Sequence, residues 1–432
     1  MDNRIIIQNS IDYIENNLKT EITAAELADT AGFSIFHYYR LFQSVIGVPV
    51  MQYIVYRKLI HAIYEIACGG KMTDVALTYG FDTYAGFYRA FKREFGCTPS
   101  AFLQKHHPKK PYKINLFQEE HIMLTHKKIT EILTYWNLEH ETISDIYYEG
   151  NGNKNENAYY VGNEYVIKFT TNIGKLKNHM ELSKSIERIG LCSATPIKTV
   201  NDEEYIRDGE LYFYVTRRIL GHQMSSEDIY EGDYPEKSRF VGEIIGQLHL
   251  ALKDIDAVVN EANLYESVTN WAIPIAQKIL NLSDKECNDY IHTFGDIYDK
   301  LPKQIIHRDP NPGNIICNKN SWGFIDFELS ECNLRIFDPC YAATAVLSES
   351  FTNSDASKLD KWLQIYHNII HGYDSVVGLT NEERVAIPYV LLANQFTCIA
   401  WFSTMDKYKD IFESNVNMAK WLMQVWEKLK IQ

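Results

Sequence analysis

Two stretches of this chain carry the same punctuation. Gly32-Phe33 and Gly80-Phe81 each close a short amphipathic run. Each is followed by a second helical run, holding Arg40-Leu41-Phe42 in one copy and Arg89-Ala90-Phe91 in the other. Those runs end at Gly47-Val48-Pro49 and at Gly96-Cys97-Thr98-Pro99, with one residue inserted. A repeat at this spacing means two copies of one supersecondary unit. The caps agree with it. Thr23 followed by Glu26 forms a capping box ahead of the first short helix, Ser34 caps the run IFHYYRLFQSVIG, and Thr73 is placed to cap KMTDVALTYGF. A long apolar helix over roughly Pro49–Cys68 links the copies and stops at Gly69-Gly70.

The motif Gly32-Phe33-Ser34, the run Ala25-Glu26-Leu27-Ala28 and the fuller second copy, with Val75-Ala76, Tyr79-Gly80-Phe81 and Phe87-Tyr88-Arg89-Ala90-Phe91-Lys92, resemble the DNA-binding domain of the AraC family of transcription regulators. The resemblance covers about residues 5–107. It implies an all-α domain, residues 1–107, of two helix-turn-helix units, each presenting a recognition helix to a major groove of double-stranded DNA. On the first recognition helix Tyr38, Leu41 and Phe42 are expected inside, with Phe36, His37 and Arg40 facing DNA. On the second, Phe87 and Phe91 form the core, Tyr84, Tyr88 and Arg89 face DNA, and Lys92 lies nearer the backbone. The family's usual arginine in the linking helix falls at Lys58 with Arg57 beside it, either of which could reach a phosphate.

A net charge of −13 looks wrong for a DNA binder until it is divided. Residues 1–117 hold 13 basic and 10 acidic side chains, the remainder 30 and 46. The change of sign argues for two jobs, the acidic part being suited to a cationic small molecule. The 432 residues are too many for one core. Eight scattered cysteines include no pair at metal-binding or redox spacing. No apolar run of spanning length and no leader-like segment is read, so no membrane role and a cytoplasmic location are expected.

Residues 108–124, beginning in the stretch HHPKKPY, read as a linker. Beyond Thr125 the strand-like pieces TISDIYY, NAYYVG, EYVIKFT and LYFYVTRRI, interrupted by one helix near 175–189, suggest an antiparallel lobe over 125–220. Helical patterns dominate 221–432, apart from short strands around QIIHRD, NIIC and WGFIDF. The chain is thus multidomain, an all-α part followed by a bilobal α+β part.

The densest chemistry is His307-Arg308-Asp309-Pro310-Asn311-Pro312-Gly313-Asn314, followed by Ile325-Asp326-Phe327-Glu328. Phosphoryl transfer needs a carboxylate at the acceptor hydroxyl and oxygen ligands for the metal that bridges the nucleotide phosphates. Asp309 fits the first role. Asn314 and Asp326 fit the second, with hard oxygens of the kind magnesium takes. His307 reads as a brace for the catalytic loop.

These residues resemble the aminoglycoside phosphotransferase and related small-molecule kinase family, whose fold is similar to protein kinases. The resemblance covers about residues 125–420. It implies Mg²⁺, ATP or GTP as phosphate donor, and a small hydroxyl compound as acceptor, aminoglycosides among the candidates. Asp338 matches a position that supports the catalytic region. Lys168 resembles the lysine that holds the nucleotide phosphates, with Glu181 or Glu187 as its acidic partner. The turn around Gly150, Gly152 and Asn157 matches a phosphate cover, and Ile244–His249 a helix packed behind the catalytic loop. Trp271, Trp401 and Trp426 are candidate walls for the acceptor. Two functions follow from the pattern: an enzyme fused to a DNA-binding regulator, or a regulator whose kinase-like part only senses a ligand or nucleotide.

Overall fold

The computed structural model describes residues 3–431 apart from 109, 118–121, 148–153, 189, 254, 256–258, 319–320, 349–350, 352–354 and 406–408. Seven helices open the chain: α1 (Asn3–Asn16), α2 (Ala24–Ala31), α3 (Ile35–Ile46), α4 (Val50–Ala67), α5 (Met72–Thr78), α6 (Tyr84–Phe95) and α7 (Pro99–Lys105). Their ends follow local chemistry. Thr23 and Glu26 form the reciprocal capping box at α2, Ser34 accepts from the His37 amide at α3, and Thr83 from the Gly86 amide at α6. Gly32, Gly47 and Gly96 stop helices with φ of 74°, 92° and 68°, backbone that a side chain disfavours. Thr73 does not cap α5. Lys71 occupies the N-cap without a side-chain bond, and the Thr73 hydroxyl turns to Asp74 instead.

The two helix-turn-helix units share one aromatic and aliphatic core, including Tyr38, Phe42, Tyr53, Phe87 and Phe91. Arg57 lies inside it. It is 3 % exposed, donates to Glu15 at 2.6 and 2.8 Å, and donates to the Tyr112 carbonyl at 2.6 Å. The expectation that Arg57 reaches a DNA phosphate is therefore corrected: its charge is spent internally. Burial pushes the Glu15 carboxyl up, but hydrogen bonds from His61 and Arg57 and the Arg57 charge outweigh it and hold it below its usual range. That stabilisation is complete above the ordinary carboxylate range and is lost as pH falls through the lowered value. Arg57→Ala strands the carboxylate and should cost about 3 kcal/mol, read as a lower urea midpoint. Pairing Arg57→Met with Glu15→Gln should recover most of the loss.

Residues 112–116 pack along this core. Gln8 bonds the Ile114 carbonyl and the Leu116 amide, at 3.0 and 2.8 Å, and Ile114 and Leu116 are buried. Helix α8 (His126–Leu133) then leads to strands β1 (Ile143–Tyr147), β2 (Lys154–Val161) and β3 (Tyr165–Thr170). After α9 (Ile173–Arg188) and the short β4 (Cys192–Ser193) and β5 (Pro196–Ile197) come β6 (Ile206–Asp208) and β7 (Leu211–Arg217). The sheet runs β1-β2-β3-β7-β5, with β6 on β7, and the described registers are antiparallel.

The chain divides into two compact units, residues 1–171 with 197–217, and residues 172–196 with 218–432. Within the first, Tyr147 at the end of β1 inserts among α6 and α7. Its ring centre lies 5.7 Å from Phe95, 6.2 Å from Phe102 and 6.5 Å from His106.

The second unit adds β8 (His222–Gln223), α10 (Ser226–Tyr230), α11 (Tyr234–Leu252), β9 (Asn260–Glu261), α12 (Leu264–Ser267), α13 (Ile273–Leu280) and α14 (Asp284–Tyr298). It continues with β10 (Lys303–Ile306), β11 (Ile315–Cys317), β12 (Trp322–Phe324), β13 (Glu331–Leu334), α15 (Phe337–Ser348), α16 (Ala356–Val377), α17 (Asn381–Phe402) and α18 (Lys409–Gln424). Helices α11 and α16 pack closely because glycines face across the seam. A Cβ at Gly242 would strike the Ile369 carbonyl, and one at Gly372 the Arg239 carbonyl. Helix α17 is long and apolar enough to cross a membrane by length and composition, and most of it is buried inside this unit.

Candidate functional site

The loop between β10 and β11 is anchored from below by one carboxylate. Asp338, in the first turn of α15, is fully buried and accepts from the backbone amides of His307 at 2.8 Å and Arg308 at 3.0 Å. It also meets His249 Nε2 at 2.9 Å, and His249 Nδ1 lies 2.8 Å from the Tyr373 hydroxyl. Two loop amides and a ring nitrogen thus converge on one buried carboxylate, which satisfies groups that would otherwise be costly to bury. His249 closes the segment Ile244–His249. Its link to Asp338 was not read from the sequence, although a histidine on the buried face of a helix invited the question.

His307 faces inward. Its Nε2 sits 3.0 Å from the Ile325 carbonyl, an acceptor only, so that nitrogen carries the proton. Nδ1 then accepts from the Asp309 amide at 3.3 Å. The ring is fully buried and packs 4.7 Å from Phe327. This geometry makes His307 a tie between the two loops rather than a proton carrier.

Asp309 is half-buried, and its two oxygens are held separately. Oδ1 accepts from Asn311 Nδ2 at 2.8 Å, and Oδ2 from Asn314 Nδ2 at 3.1 Å. The same Asn314 nitrogen donates to the Asp309 carbonyl at 2.9 Å. Both amide hydrogens of Asn314 are therefore directed to Asp309, and its carbonyl oxygen is left for another partner. The β11–β12 register brings the second motif alongside: Ile315 pairs with Phe324, and the Ile325 amide donates to the Asn314 backbone carbonyl, not to its Oδ1, at 3.0 Å. Asp326 follows in left-handed backbone at φ 68°, and Arg308 is likewise left-handed at φ 77°. Such conformations are costly for non-glycine residues and collect at functional sites. The Arg308 guanidinium is held by Glu331 at 2.8 Å and lies 4.0 Å from the Phe337 ring centre.

Two residues absent from the sequence reading complete the surroundings of Asp309. Tyr341 on α15 stacks on Phe337 at 5.9 Å. Burial, the Asp309 charge and a hydrogen bond to that carboxylate push its phenol well up. Cys398 on α17 is pushed up to about 11 by burial, with Arg308 and Asp309 acting on it in opposite senses. Among the described residues no three His, Cys, Asp or Glu side chains are grouped to hold a metal. An ion here would depend on Asn314, Asp326 and its own phosphate ligands, the habit of magnesium.

Lys168 stands in the middle of β3, paired with Ala158 and Tyr214, and is half-buried. Asn157 on β2 is exposed, and Gly150 and Gly152 lie outside the described residues. Glu181 and Glu187 are exposed on α9, whose buried face carries His179 and Met180. In the DNA-binding part, Phe36, His37, Arg40, Arg89 and Lys92 are exposed, whereas Tyr84 and Tyr88 are half-buried against their neighbours. Phe36, at 72 % exposure, lies under the Arg40 guanidinium at 4.8 Å.

Comparison with known proteins separates the same two parts. Residues 27–105 match a helix-turn-helix domain, and residues 149–376 match the phosphotransferase enzyme family. The HTH-type transcriptional activator AarP of Providencia stuartii is 31% identical over 98 residues, 22% of this chain and 73% of that protein. The uncharacterized HTH-type regulator YbfP of Bacillus subtilis is 32% identical over 97 residues, 22% of this chain, and only 33% of YbfP is spanned. Among solved structures, amicoumacin kinase hAmiN, in complex with AMP-PNP, Ca²⁺ and Ami, aligns over 68% of this chain and 92% of its own, at 12% identity and a TM-score of 0.51. The GDP complex of aminoglycoside 2'-phosphotransferase-IIIa aligns over 69% and 98%, at 14% identity and a TM-score of 0.50. At these identities the structural likeness is one of fold.

Proposed function

The chain belongs to the phosphotransferase enzyme family, and from that premise we propose that it transfers the terminal phosphoryl group of ATP or GTP to a hydroxyl of a small molecule, on a polypeptide whose N-terminal domain binds double-stranded DNA in the manner of AraC-type regulators. The observation that carries the catalytic part is the pairing of Asp309 with Asn311 and Asn314 on a loop pinned by Asp338. The Asp309 carboxylate accepts the proton of the acceptor hydroxyl. The freed oxygen forms a bond to phosphorus as the bond to the departing nucleoside diphosphate breaks. Asn314 Oδ1 and Asp326 would hold Mg²⁺, which neutralises phosphate charge when bound. Lys168, half-buried in the middle of β3, is the proposed holder of the nucleotide phosphates. The nucleotides and divalent ion in the two aligned structures support this assignment of donor and metal.

The test is phosphate release and transfer from ATP and from GTP, with Mg²⁺, to aminoglycosides, amino alcohols and uncharged polyols. Mg²⁺-dependent transfer to any of them supports the enzyme. Tight nucleotide binding with no turnover would favour a second reading, a regulator whose kinase-like part senses a ligand. The packing of Tyr147 against α6 and α7 favours such coupling, since the strand and the DNA-binding helices share one compact unit.

For DNA, exposed Arg89 and Lys92 on α6 and the Phe36–Arg40 pair on α3 are the proposed contacts, with His37 beside them and Tyr84 and Tyr88 reaching the groove edge. Lys92→Ala should weaken binding evenly across sequences and lower the slope of log affinity against log salt by about one. Arg89→Ala should relax sequence preference as well. Electrophoretic mobility shifts over a salt series separate the two outcomes.

A further inference from the structure

The turn that carries Asn314 is held from outside by a side chain. Pro312–Asn314 form a single 3₁₀ turn, and so short a turn leaves its last carbonyls without partners inside it. Each carbonyl from Asn311 to Asn314 nevertheless has a donor. The Asn311 carbonyl accepts from the Asn314 amide at 2.9 Å, the Pro312 carbonyl from the Ile315 amide, and the Asn314 carbonyl from the Ile325 amide at 3.0 Å. Those donors are backbone amides of the turn and of the hairpin it leads into. The Gly313 carbonyl is different. It accepts from Gln223 Nε2 at 2.8 Å, a residue 90 positions earlier in the chain.

Gln223 arrives on a strap laid along β11. On β8 it pairs with Ile316, and His222 pairs with Cys317. The Met224 amide donates to the Ile315 carbonyl at 3.0 Å, and Asn318 Nδ2 donates to the Leu220 carbonyl at 2.8 Å. Backbone pairing therefore fixes where the Gln223 side chain starts, and the strap does not depend on the bond that this side chain makes.

The peptide between Gly313 and Asn314 aims the proposed metal ligand. Its N–H is bonded to the Asn311 carbonyl and its own carbonyl to Gln223. Gly313 has no side chain to limit rotation of that peptide. Rotation would swing Asn314, whose side-chain nitrogen is committed to Asp309 and whose Oδ1 is the proposed oxygen for Mg²⁺. A donor on the Gly313 carbonyl opposes the rotation. A carbonyl accepts only, and a glutamine amide supplies the donor without adding a charge to the loop. Gln223 is exposed, so the bond contributes little to the core and its effect is concentrated on the turn.

We infer that Gln223 is a positioning residue of the proposed metal site: through the Gly313 carbonyl it holds Asn314 in the orientation that leaves Oδ1 open to Mg²⁺. It acts through Asn314, and the inference rests on the phosphotransferase reading above.

The experiment titrates the full chain with AMP-PNP by calorimetry, over a Mg²⁺ series and in EDTA, and follows kcat alongside. Gln223→Met keeps the length of the side chain and removes the donor. The Mg²⁺ concentration that gives half-maximal AMP-PNP affinity should rise about two- to ten-fold, the range set by the loss of one hydrogen bond. Affinity in EDTA should stay at the parent value. At low Mg²⁺ kcat should fall by a similar factor and recover as Mg²⁺ is raised, a rescue that a merely structural role would not show. The urea midpoint should stay near that of the parent. His222→Ala, on the same strap, leaves the Gly313 carbonyl bonded and should behave as the parent. A Gln223→Met chain with the parent's Mg²⁺ dependence would overturn the inference. So would an equal shift in His222→Ala, or a loss of AMP-PNP affinity that is as large in EDTA as in Mg²⁺. A parent chain whose AMP-PNP affinity no divalent ion changes would remove the metal assignment in the phosphotransferase reading and this inference with it. That result is distinct from a Mg²⁺-dependent parent with an indifferent variant, which leaves the reading standing.

Discussion

Asp309→Asn should lower phosphate transfer by about a hundred- to ten-thousand-fold, or about 2.7–5.5 kcal/mol in the barrier. In the proposed reaction the carboxylate accepts the hydroxyl proton, and an amide of the same shape is a far weaker base. The substitution also disturbs its neighbours in a defined way. Asp309 presents two acceptor oxygens, one to Asn311 Nδ2 and one to Asn314 Nδ2. An amide offers one oxygen and one NH₂, so a donor would face a donor on one side. If the clash falls on Asn314, its carbonyl oxygen turns from the position proposed for the metal, and the apparent Mg²⁺ requirement should rise. If it falls on Asn311, the Mg²⁺ requirement should stay put. A magnesium titration of the residual activity therefore reports which oxygen matters more. A variant within ten-fold of the parent would mean that Asp309 is not the base and that the proton leaves by another route.

That expectation could be framed from the sequence because the chemistry of this loop is contiguous. His307, Asp309 and Asn314 lie within eight residues, and Asp326 is brought back by one tight antiparallel pair, β11 with β12. A short hairpin needs no knowledge of the rest of the fold. The all-α first part was legible for the same reason, since caps and glycine stops such as Thr23, Ser34, Gly32 and Gly96 act within one turn. What stayed hidden depends on distant packing. Tyr341 reaches Asp309, and Cys398 feels its charge, from helices whose crossing no local pattern specifies. His249 lies 89 residues before Asp338, the group that it meets. Arg57 was misread because a basic residue on a DNA-binding helix invites a phosphate. Yet it follows Tyr53 and Ile54 by four and three positions, on the buried face of α4, and that periodicity was the signal.

Asp338 is where the loop chemistry meets the stability of the fold. Asp338→Ala should cost at least about 3 kcal/mol, because three buried donors lose their acceptor and each such loss costs about 1–3 kcal/mol. The donors are the His307 and Arg308 amides and the His249 ring. The Arg308 bond matters further, because it holds a non-glycine residue at φ 77°. Without it that residue can relax toward ordinary backbone, and Asp309 moves with it. Urea unfolding should show a lower midpoint for the alanine variant. Asp338→Asn separates positioning from folding. It keeps the volume and one oxygen, so the fold should survive with a smaller loss, while the second loop amide faces an NH₂ group. In that variant kcat should fall several-fold or more, with little change in the acceptor KM, because Asp338 holds the loop that carries the proposed base and is itself fully buried. Equal loss in kcat and stability across both substitutions would mean that the carboxylate only supports the core. A kcat loss in a variant that still unfolds near the parent midpoint would mark it as the residue that aims Asp309.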